Sequence, residues 1–428
     1  MEQSTRKRLT NIVGGSAGNL VEWFDWYVYS AFSLYFAASF FPKGDTTAQL
    51  LSTAAVFAVG FVMRPVGAWA MGIYADRHGR KAGLTLSVAL MCFGSLMIAV
   101  APTYATVGIW SPAILVFARI VQGFSIGGEY GASATYLSEV AGAERRGFWS
   151  SFQYVTLIAG QLLALFLLLG LQAWLGDEAL AAWGWRIAFA VGAGLAVVVF
   201  FLRRGLTESA SFVAVEMAHP KAGRSSATRL IREQPRAALL VIALTAGGTL
   251  AFYATTTYMQ KFLANSAGFD RATASRIMTV ALFVFMLAQP LVGALSDRIG
   301  RRPLMIGFGI AGTLFTYPLF VALENSGGRP VVAFMLITSA LLFVSGYTAI
   351  NAVVKAELFP GHIRALGVAL PYAIANTLFG GTAEYVALWL KQAGQERLFY
   401  IYVSLVVAGS LIAYIRMQDT RRHGHITD

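Results

Sequence analysis

The chain has 428 residues, of which 57% are hydrophobic and 13% charged, with a formal net charge of +12. So little polar surface cannot clothe a soluble globule of this length, and lipid must be the solvent for most of it. The positive charge sits in short clusters between apolar runs, without a basic face or tail, so it reads as a set of topology signals and excludes a nucleic-acid partner.

The chain opens on Arg6-Lys7-Arg8 and an apolar run that Glu22 and Asp25 interrupt, which predicts an uncleaved first span and not a secretory signal. Apolar stretches long enough to cross a ~30 Å hydrocarbon core recur from there onward. They predict spans at 12–38, 50–74, 83–101, 111–137, 148–172, 185–203, 237–262, 273–295, 304–323, 331–353, 364–390 and 398–416. The fold class is therefore an all-α membrane protein of twelve transmembrane helices in two six-helix halves, 1–203 and 237–428. The polar stretch 204–236, with Pro220, Gly223 and Pro235, is expected to link them. Arg77, Arg80 and Lys81, then Arg145 and Arg146, then Arg298, Arg301 and Arg302, then Arg364, then Arg416, Arg421 and Arg422 fall on alternate loops. By the positive-inside rule those loops and both termini face the cytoplasm. The one cysteine, Cys92, lies inside an apolar run, so neither a disulfide framework nor a thiolate metal site is expected.

The halves echo one another. Gly72-x-x-x-Asp76-Arg77-x-Gly79-Arg80-Lys81 returns as Gly293-x-x-x-Asp297-Arg298-x-Gly300-Arg301-Arg302, each residue 221 positions later, at the end of the second span of its half. Glu139 before Arg146-Gly147 and Glu357 before Arg364 form a second echo between spans four and five of each half.

The first span sets Asn19, Glu22, Asp25 and Tyr29 at three- and four-residue spacing, on one helix face. Each charge at bilayer depth costs at least ~2.5–3.5 kcal/mol on insertion scales, so the two carboxylates must face a cavity or a partner. Sheltered together, they are candidates to load and release a proton, the alternative being a static ion pair with an arginine. The available arginines are Arg64 in span two and Arg119 in span four, where Arg119, Gln122, Glu129, Ser133 and Tyr136 make a polar stripe. Two guanidiniums suit a solute with two carboxylates, because each can engage one bidentately and neither deprotonates; the alternative is that they only neutralise Glu22, Asp25 and Glu129. The second half offers Tyr253, Tyr258, Lys261, Gln289, Lys355, Tyr372, Asn376 and Glu384, and the first adds Tyr154 and Gln161 in span five. Lys261 and Lys355 either line the cavity or snorkel to opposite membrane faces.

The doubled G-x-x-x-D-R-x-G-R-[KR] loop resembles the signature of the major facilitator superfamily. In that fold two parallel halves hold a solute site between them near the midplane. The loop makes a latch: Asp76 is expected against the start of span eleven near His362, Arg80 on Glu139, Asp297 against span five and Arg301 on Glu357. Gly18-Asn19-x-x-Glu22-Trp23-x-Asp25 is similar to the metabolite:proton symporter branch, which takes up dicarboxylates, tricarboxylates, shikimate, or proline and betaine. Arg119-x-x-Gln122-Gly123 also resembles the superfamily's span-four motif, and Gly127-Gly-Glu129, Ser151-Phe-Gln153-Tyr154, Thr255-Thr-Thr-Tyr258-Met-Gln-Lys261, Lys355-Ala-Glu357 and Phe379-Gly-Gly-Thr-Ala-Glu384 carry the similarity to members that import α-ketoglutarate. The resemblance implies a proton-coupled symporter of a bacterial inner membrane, without cofactor or metal, acting as a monomer on a small dicarboxylate. Its substrate contacts are expected among Arg64, Arg119, Tyr29, Gln122, Tyr154, Gln161, Tyr253, Tyr258, Lys261, Tyr372 and Asn376. Proton coupling falls to Glu22, Asp25, Glu129 and Glu384, and gating to Asp76, Arg80, Glu139, Arg146, Asp297, Arg301, Glu357 and Arg364. A citrate, shikimate or osmolyte symporter and a non-transporting nutrient receptor are the alternatives. An enzyme is not expected, because nucleophile triad, metal spacing and nucleotide loop are all missing from the sequence.

Overall fold

The computed structural model describes residues 2–78, 80–127, 134–135, 138, 143–204, 227–361 and 363–426; the side chains of 2–17, 72–73, 75–81, 84, 143, 202–204 and 228–229 lie outside the description. Apolar sequence in lipid must satisfy its backbone internally, and helices do so. Among the described residues the spans are α1 (Glu2–Phe40), α2 (Thr46–His78), α3 (Arg80–Val100), α4 (Trp110–Ile126), α5 (Phe152–Ala179) and α6 (Trp185–Arg204). The second set is α7 (Pro235–Thr255, resuming as Met259–Asn265), α8 (Arg271–Ile299), α9 (Arg301–Glu324), α10 (Pro330–Thr348, resuming as Asn351–Glu357), α11 (Arg364–Ala375, a π turn at Asn376–Gly380, then Gly381–Gln392) and α12 (Arg397–Arg416). Seven described helical stretches are by themselves long and apolar enough to cross a membrane, and one of them, Arg146–Phe201, holds two spans. Exposed Trp69, Leu291 and Leu405 face outward, and Trp110, Trp174 and Trp389 stand exposed near span ends, as an interfacial belt requires.

α2 outruns its apolar core and continues to His78, because polar residues extend a helix into the headgroup layer as readily as apolar ones, whereas α5 is kinked at Gly176 (φ 75°, ψ 168°) before it ends. The predicted fourth span to 137 is described as continuous helix to Ile126, and 134–135 and 138 are helical again. Within the first half α2 and α4 touch backbone to backbone. A Cβ on Gly123 would strike the carbonyl of Gly60, one on Gly67 that of Phe124, and one on Gly127 that of Arg64. Small residues permit this approach, and it sets Arg64 of α2 beside Arg119 of α4.

In the second half α7, α10 and α11 are interrupted. Tyr258 N reaches back five residues to Tyr253 O (3.0 Å), and the freed carbonyls of Thr256 and Thr257 accept from Tyr27 Oη and Ser30 Oγ of α1, both at 3.2 Å. Irregular backbone at membrane depth is tolerated where protein supplies the missing bonds, and here the opposite half supplies them.

Candidate functional site

Trp26, fully buried on α1, gathers both cations of the first half: the Arg64 guanidinium lies 4.2 Å from its ring and that of Arg119 3.8 Å. Arg64 also lies over Phe61 (4.0 Å) and Arg119 over Tyr29 (4.4 Å). Nε and Nη2 of both arginines are buried and find no hydrogen-bond partner among the described residues. Two like charges over one indole, each with spare donors, have the charge and the donor set that an anion with several oxygens accepts from.

Behind this pair stands a relay. Arg119 Nη1 donates to Gln122 Oε1 (2.7 Å), and Gln122 Nε2 donates to Asp25 Oδ2 (2.7 Å) and to Ser95 Oγ (3.0 Å). Ser95 closes the loop by donating to Asp25 Oδ1, so a proton on Asp25 is one amide away from the guanidinium.

The polar residues expected on one face of α1 meet partners on several neighbouring helices. Asn19 Nδ2 bonds Thr156 Oγ1 of α5 (2.8 Å), Asp25 turns to α3 and α4, and Tyr29 Oη donates to Thr53 O of α2 (2.9 Å). Glu22 lies within electrostatic reach of Tyr253 and Tyr372 in the second half, and Tyr29 within that of Glu384. The helix is buried all round, so residues that share a spacing meet different neighbours.

In the second half Lys261 Nζ pairs with Glu384 Oε1 (2.6 Å) and donates to Ser30 Oγ of α1 (2.9 Å), bridging the halves. Glu384 Oε2 is buried without a partner among the described residues. Lys261 and Lys355 are each 1% exposed, so snorkelling is excluded for both. Tyr253 packs on Phe61 across the seam (5.3 Å) and Tyr154 on Phe252 (5.6 Å), while Thr249 Oγ1 donates to Asn376 Oδ1 (2.5 Å). Tyr372 stands beside Tyr154 and within electrostatic reach of Arg64. Gln161 is buried with neither amide atom bonded among the described residues. Tyr258 is not part of this gathering: its hydroxyl bonds Glu396 Oε1 (3.1 Å) among Phe262 and Phe399, a correction its place in the α7 break explains.

The latch lies at the end of the molecule where the repeated motif falls. Asp297 accepts from Gly147 N (2.8 Å) and Phe148 N (2.9 Å), at the start of the short helix Arg146–Ser150 that leads into α5. A carboxylate on free helix N–H groups is favoured by charge and by hydrogen bonding alike. Arg301 Nη1 braces Asp297 (2.8 Å), and Arg301 Nη2 and Arg146 Nη1 approach Glu357 Oε1 at 3.5 and 3.7 Å. The motif's first glycine, Gly293, packs on Gly147, where a Cβ would lie 2.6 Å from the carbonyl oxygen; its second, Gly300, has φ of 97° and joins α8 to α9. Arg364 Nε holds the carbonyls of Ala356 and Phe359, both at 3.1 Å. The side chains of Asp76 and Arg80, and Glu129 and Glu139 altogether, lie outside the described residues.

Sequence reasoning missed three contributors. Ser95 and Ser30 are single hydroxyls in apolar spans and carry no pattern. Beyond α12, read only as a basic topology signal, Thr420 Oγ1 donates to Glu357 Oε2 (2.6 Å) and Asp419 accepts from the backbone of Arg301 (3.2 Å) and Arg302 (3.3 Å).

Charged side chains buried in both halves of a helical bundle, beside a latch of Asp297, Arg301 and Glu357, are the arrangement of a membrane transporter, and the comparisons agree. The model of the family described as "Sugar (and other) transporter" matches residues 11–238 and 215–426, and the chain belongs to this family, within the major facilitator superfamily. It is 56% identical over 413 residues, 96% of this chain and 94% of the other, to the alpha-ketoglutarate permease of Escherichia coli (strain K12). It is 33% identical over 389 residues, 89% and 85% of the two chains, to the citrate-proton symporter of Klebsiella pneumoniae. In fold it resembles the xylose transporter XylE from E. coli in a partially occluded inward-open conformation, with a TM-score of 0.74 at 19% identity, over 95% of this chain and 97% of that one. The twelve-span major facilitator fold expected from the sequence is thus the fold of this multi-pass membrane protein.

Proposed function

We propose that this chain is a proton-coupled symporter that imports α-ketoglutarate across a bacterial inner membrane, with both termini cytoplasmic. It works as a monomer and without a cofactor, by rocking 1–203 against 237–428 about the linker 204–236. The carrying observation is the Arg64–Arg119 pair over Trp26, with four buried donor atoms unpaired among the described residues and a titratable carboxylate wired to one arginine through Gln122. The substrate choice is supported by 56% identity to a relative of that name, against 33% to the citrate symporter.

A dianion entering against an inside-negative potential costs roughly 4.6 kcal/mol per 100 mV, which two co-transported protons cancel and a third would turn into drive. Charged Asp25 offsets Arg119 through Gln122. Protonated, it leaves that guanidinium uncompensated and raises its attraction for a carboxylate. Proton and dianion therefore bind with positive coupling, each favouring the other by the same factor. Glu384 stands in the same relation to Lys261, whose bond to Ser30 holds the outer ends together. The latch of Asp297, Arg301, Glu357 and Arg146 holds the cytoplasmic ends until the solute is bound.

The test is uptake into liposomes under a pH gradient and a membrane potential imposed separately, with citrate, shikimate and proline as competitors. Acidifying the outside is expected to speed α-ketoglutarate uptake, and Arg64→Ala or Arg119→Ala to slow it about ten- to a hundredfold. Uptake by both variants at the wild-type rate, at equal protein content, would overturn the receptor.

A further inference from the structure

Asn376 and Tyr253 are neighbours in the second half, and the transport scheme above uses neither. Asn376 opens the π turn Asn376–Gly380 of α11, and Tyr253 stands in the last turn of α7 before its break; both are buried. Gly380 makes the room between them, since a Cβ there would lie 2.6 Å from Asn376 Oδ1 and 2.8 Å from the Tyr253 ring. Thr249, one turn before Tyr253 on the same face of α7, donates to Asn376 Oδ1 (2.5 Å) and so fixes which way the amide points. Asn376 Nδ2 and Tyr253 Oη then stand buried without a hydrogen-bond partner among the described residues. Buried polar groups are ordinarily paired, and π turns recur at functional sites, so two such atoms beside a π turn call for a ligand.

Phe61 of α2 joins this pair to the arginines of the other half. The Arg64 guanidinium lies 4.0 Å from the Phe61 ring, and the Tyr253 ring is 5.3 Å from it. The π turn is pinned to the same residue: Thr377 Oγ1 donates to Phe61 O (2.8 Å), and a Cβ on Gly381 would strike the Phe61 ring. The Tyr253 hydroxyl stands beside both the Asn376 amide and the Arg64 guanidinium without closing a bond to either, and Arg64 Nε and Nη2 are unpartnered likewise among the described residues. One charged donor group and two neutral ones thus converge at the seam between the halves.

We infer that Asn376 and Tyr253 recognise the 2-oxo group of the solute. This deepens the proposed function and rests on it. α-Ketoglutarate carries its ketone on the carbon next to one carboxylate, so a donor to the ketone must stand beside the group that holds that carboxylate. A guanidinium flanked by an amide N–H and a phenolic O–H is such an arrangement, and a ketone oxygen can accept from both neutral donors at once. A dicarboxylate that lacks the ketone leaves those donors buried and unpaired, and a site built to hydrogen-bond one polar group rejects most strongly the analogue without it. Asn376 and Tyr253 are therefore specificity-determining residues that select a 2-oxo dicarboxylate over a plain one.

The experiment pairs a truncated residue with a truncated ligand. Wild type, Tyr253→Phe, Asn376→Leu and the double variant are reconstituted, and labelled α-ketoglutarate uptake is competed with unlabelled α-ketoglutarate or with glutarate, which has the same carbon chain and both carboxylates but no ketone. Quenching of tryptophan fluorescence in detergent reads binding of both ligands to any variant that folds but does not transport. Wild type is expected to prefer α-ketoglutarate over glutarate by about ten- to a hundredfold. Tyr253→Phe, which keeps the ring on Phe61 and removes only the hydroxyl, is expected to cut that preference about three- to tenfold, Asn376→Leu by at least as much, and the double variant to bind the two ligands nearly equally. The preference is a ratio within one preparation, so the amount of folded protein cancels. A wild type that takes up α-ketoglutarate without discriminating against glutarate, variants that keep the wild-type preference, or variants that weaken for both ligands alike each overturn the recognition of the ketone and leave the symporter reading standing. A wild type that takes up no α-ketoglutarate overturns the symporter reading and this inference with it.

Discussion

Asp25 holds one proton's worth of charge at the end of a wire two bonds long. Its Oδ2 accepts from Gln122, and Gln122 accepts from Arg119. Asp25→Asn keeps the shape and removes the titration, so Arg119 stands permanently uncompensated. On the proposed function this variant still binds solute and exchanges it across the membrane, yet it no longer accumulates solute under a pH gradient; the expected loss of gradient-driven accumulation is at least about tenfold, the factor that ~1.4 kcal/mol of lost coupling represents. Measuring counterflow and pH-driven accumulation on the same proteoliposomes separates the two, and undiminished accumulation would remove Asp25 from the coupling path. Ionisable residues announce themselves in a sequence that is 13% charged, which is why Arg64, Arg119, Asp25, Lys261 and Glu384 could be singled out before any fold was known. Their neutral partners could not. Ser95 and Ser30 are ordinary hydroxyls, and the spacing that sets Asn19, Asp25 and Tyr29 on one face does not tell which neighbouring helix each of them meets.

At the scale of elements, hydropathy alone yields the spans, because lipid leaves the backbone no alternative to helix or closed barrel. What it leaves out is where helices break and where they touch. Pro65 and Pro290 lie inside α2 and α8 without ending them, whereas α7 gives way at Thr256 and α10 at Ile350, in stretches without Pro. The break in α7 is met by bonds from the other half and that in α10 by Asn351 Nδ2 on Thr348 O (2.8 Å), facts of tertiary and side-chain placement that no local pattern encodes. Contacts between helices are better marked, though only once the partner is known. A methyl group on Gly123 would collide with the carbonyl of Gly60, while one on Gly170 of α5 meets nothing within 4 Å. Gly123→Ala is therefore expected to destabilise by about 1–3 kcal/mol through forced separation of α2 and α4. Gly170→Ala is expected to be neutral or slightly stabilising, since alanine is the better helix former. Thermal unfolding in detergent compares them directly, and equal midpoints for the two variants would show that the Gly60–Gly123 contact does not hold these helices.

At the scale of the whole molecule, the halves are bonded at both ends: by Lys261 to Ser30 and Tyr27 to Thr256 at one, and by Asp297 to Gly147 and Phe148 at the other. The residues after α12 reinforce only the second. Asp419 caps the start of α9, and Thr420 and the His425 amide both bond Glu357, at 2.6 and 2.8 Å. Arg364 Nη2 and Arg146 Nη1, one from each half, donate to the carbonyls of His425 (3.2 Å) and Ile426 (3.4 Å). The segment thus reaches across the latch, and on the proposed function it stabilises the closed end relative to an open state that separates Arg146 from Glu357. Removing the residues after Met417 forfeits a hydrogen bond to a buried carboxylate, worth about 1.5–3 kcal/mol, from the closed state in particular. Spin labels at the latch ends of α5 and α8 are then expected to report a shift of about tenfold or more toward the longer, open distance. Thr420→Val, which deletes the 2.6 Å bond to Glu357 and leaves the rest of the segment, is expected to move the same distribution in the same direction by less. If truncation leaves the distance distribution as in the full chain, the segment rests on the latch without holding it.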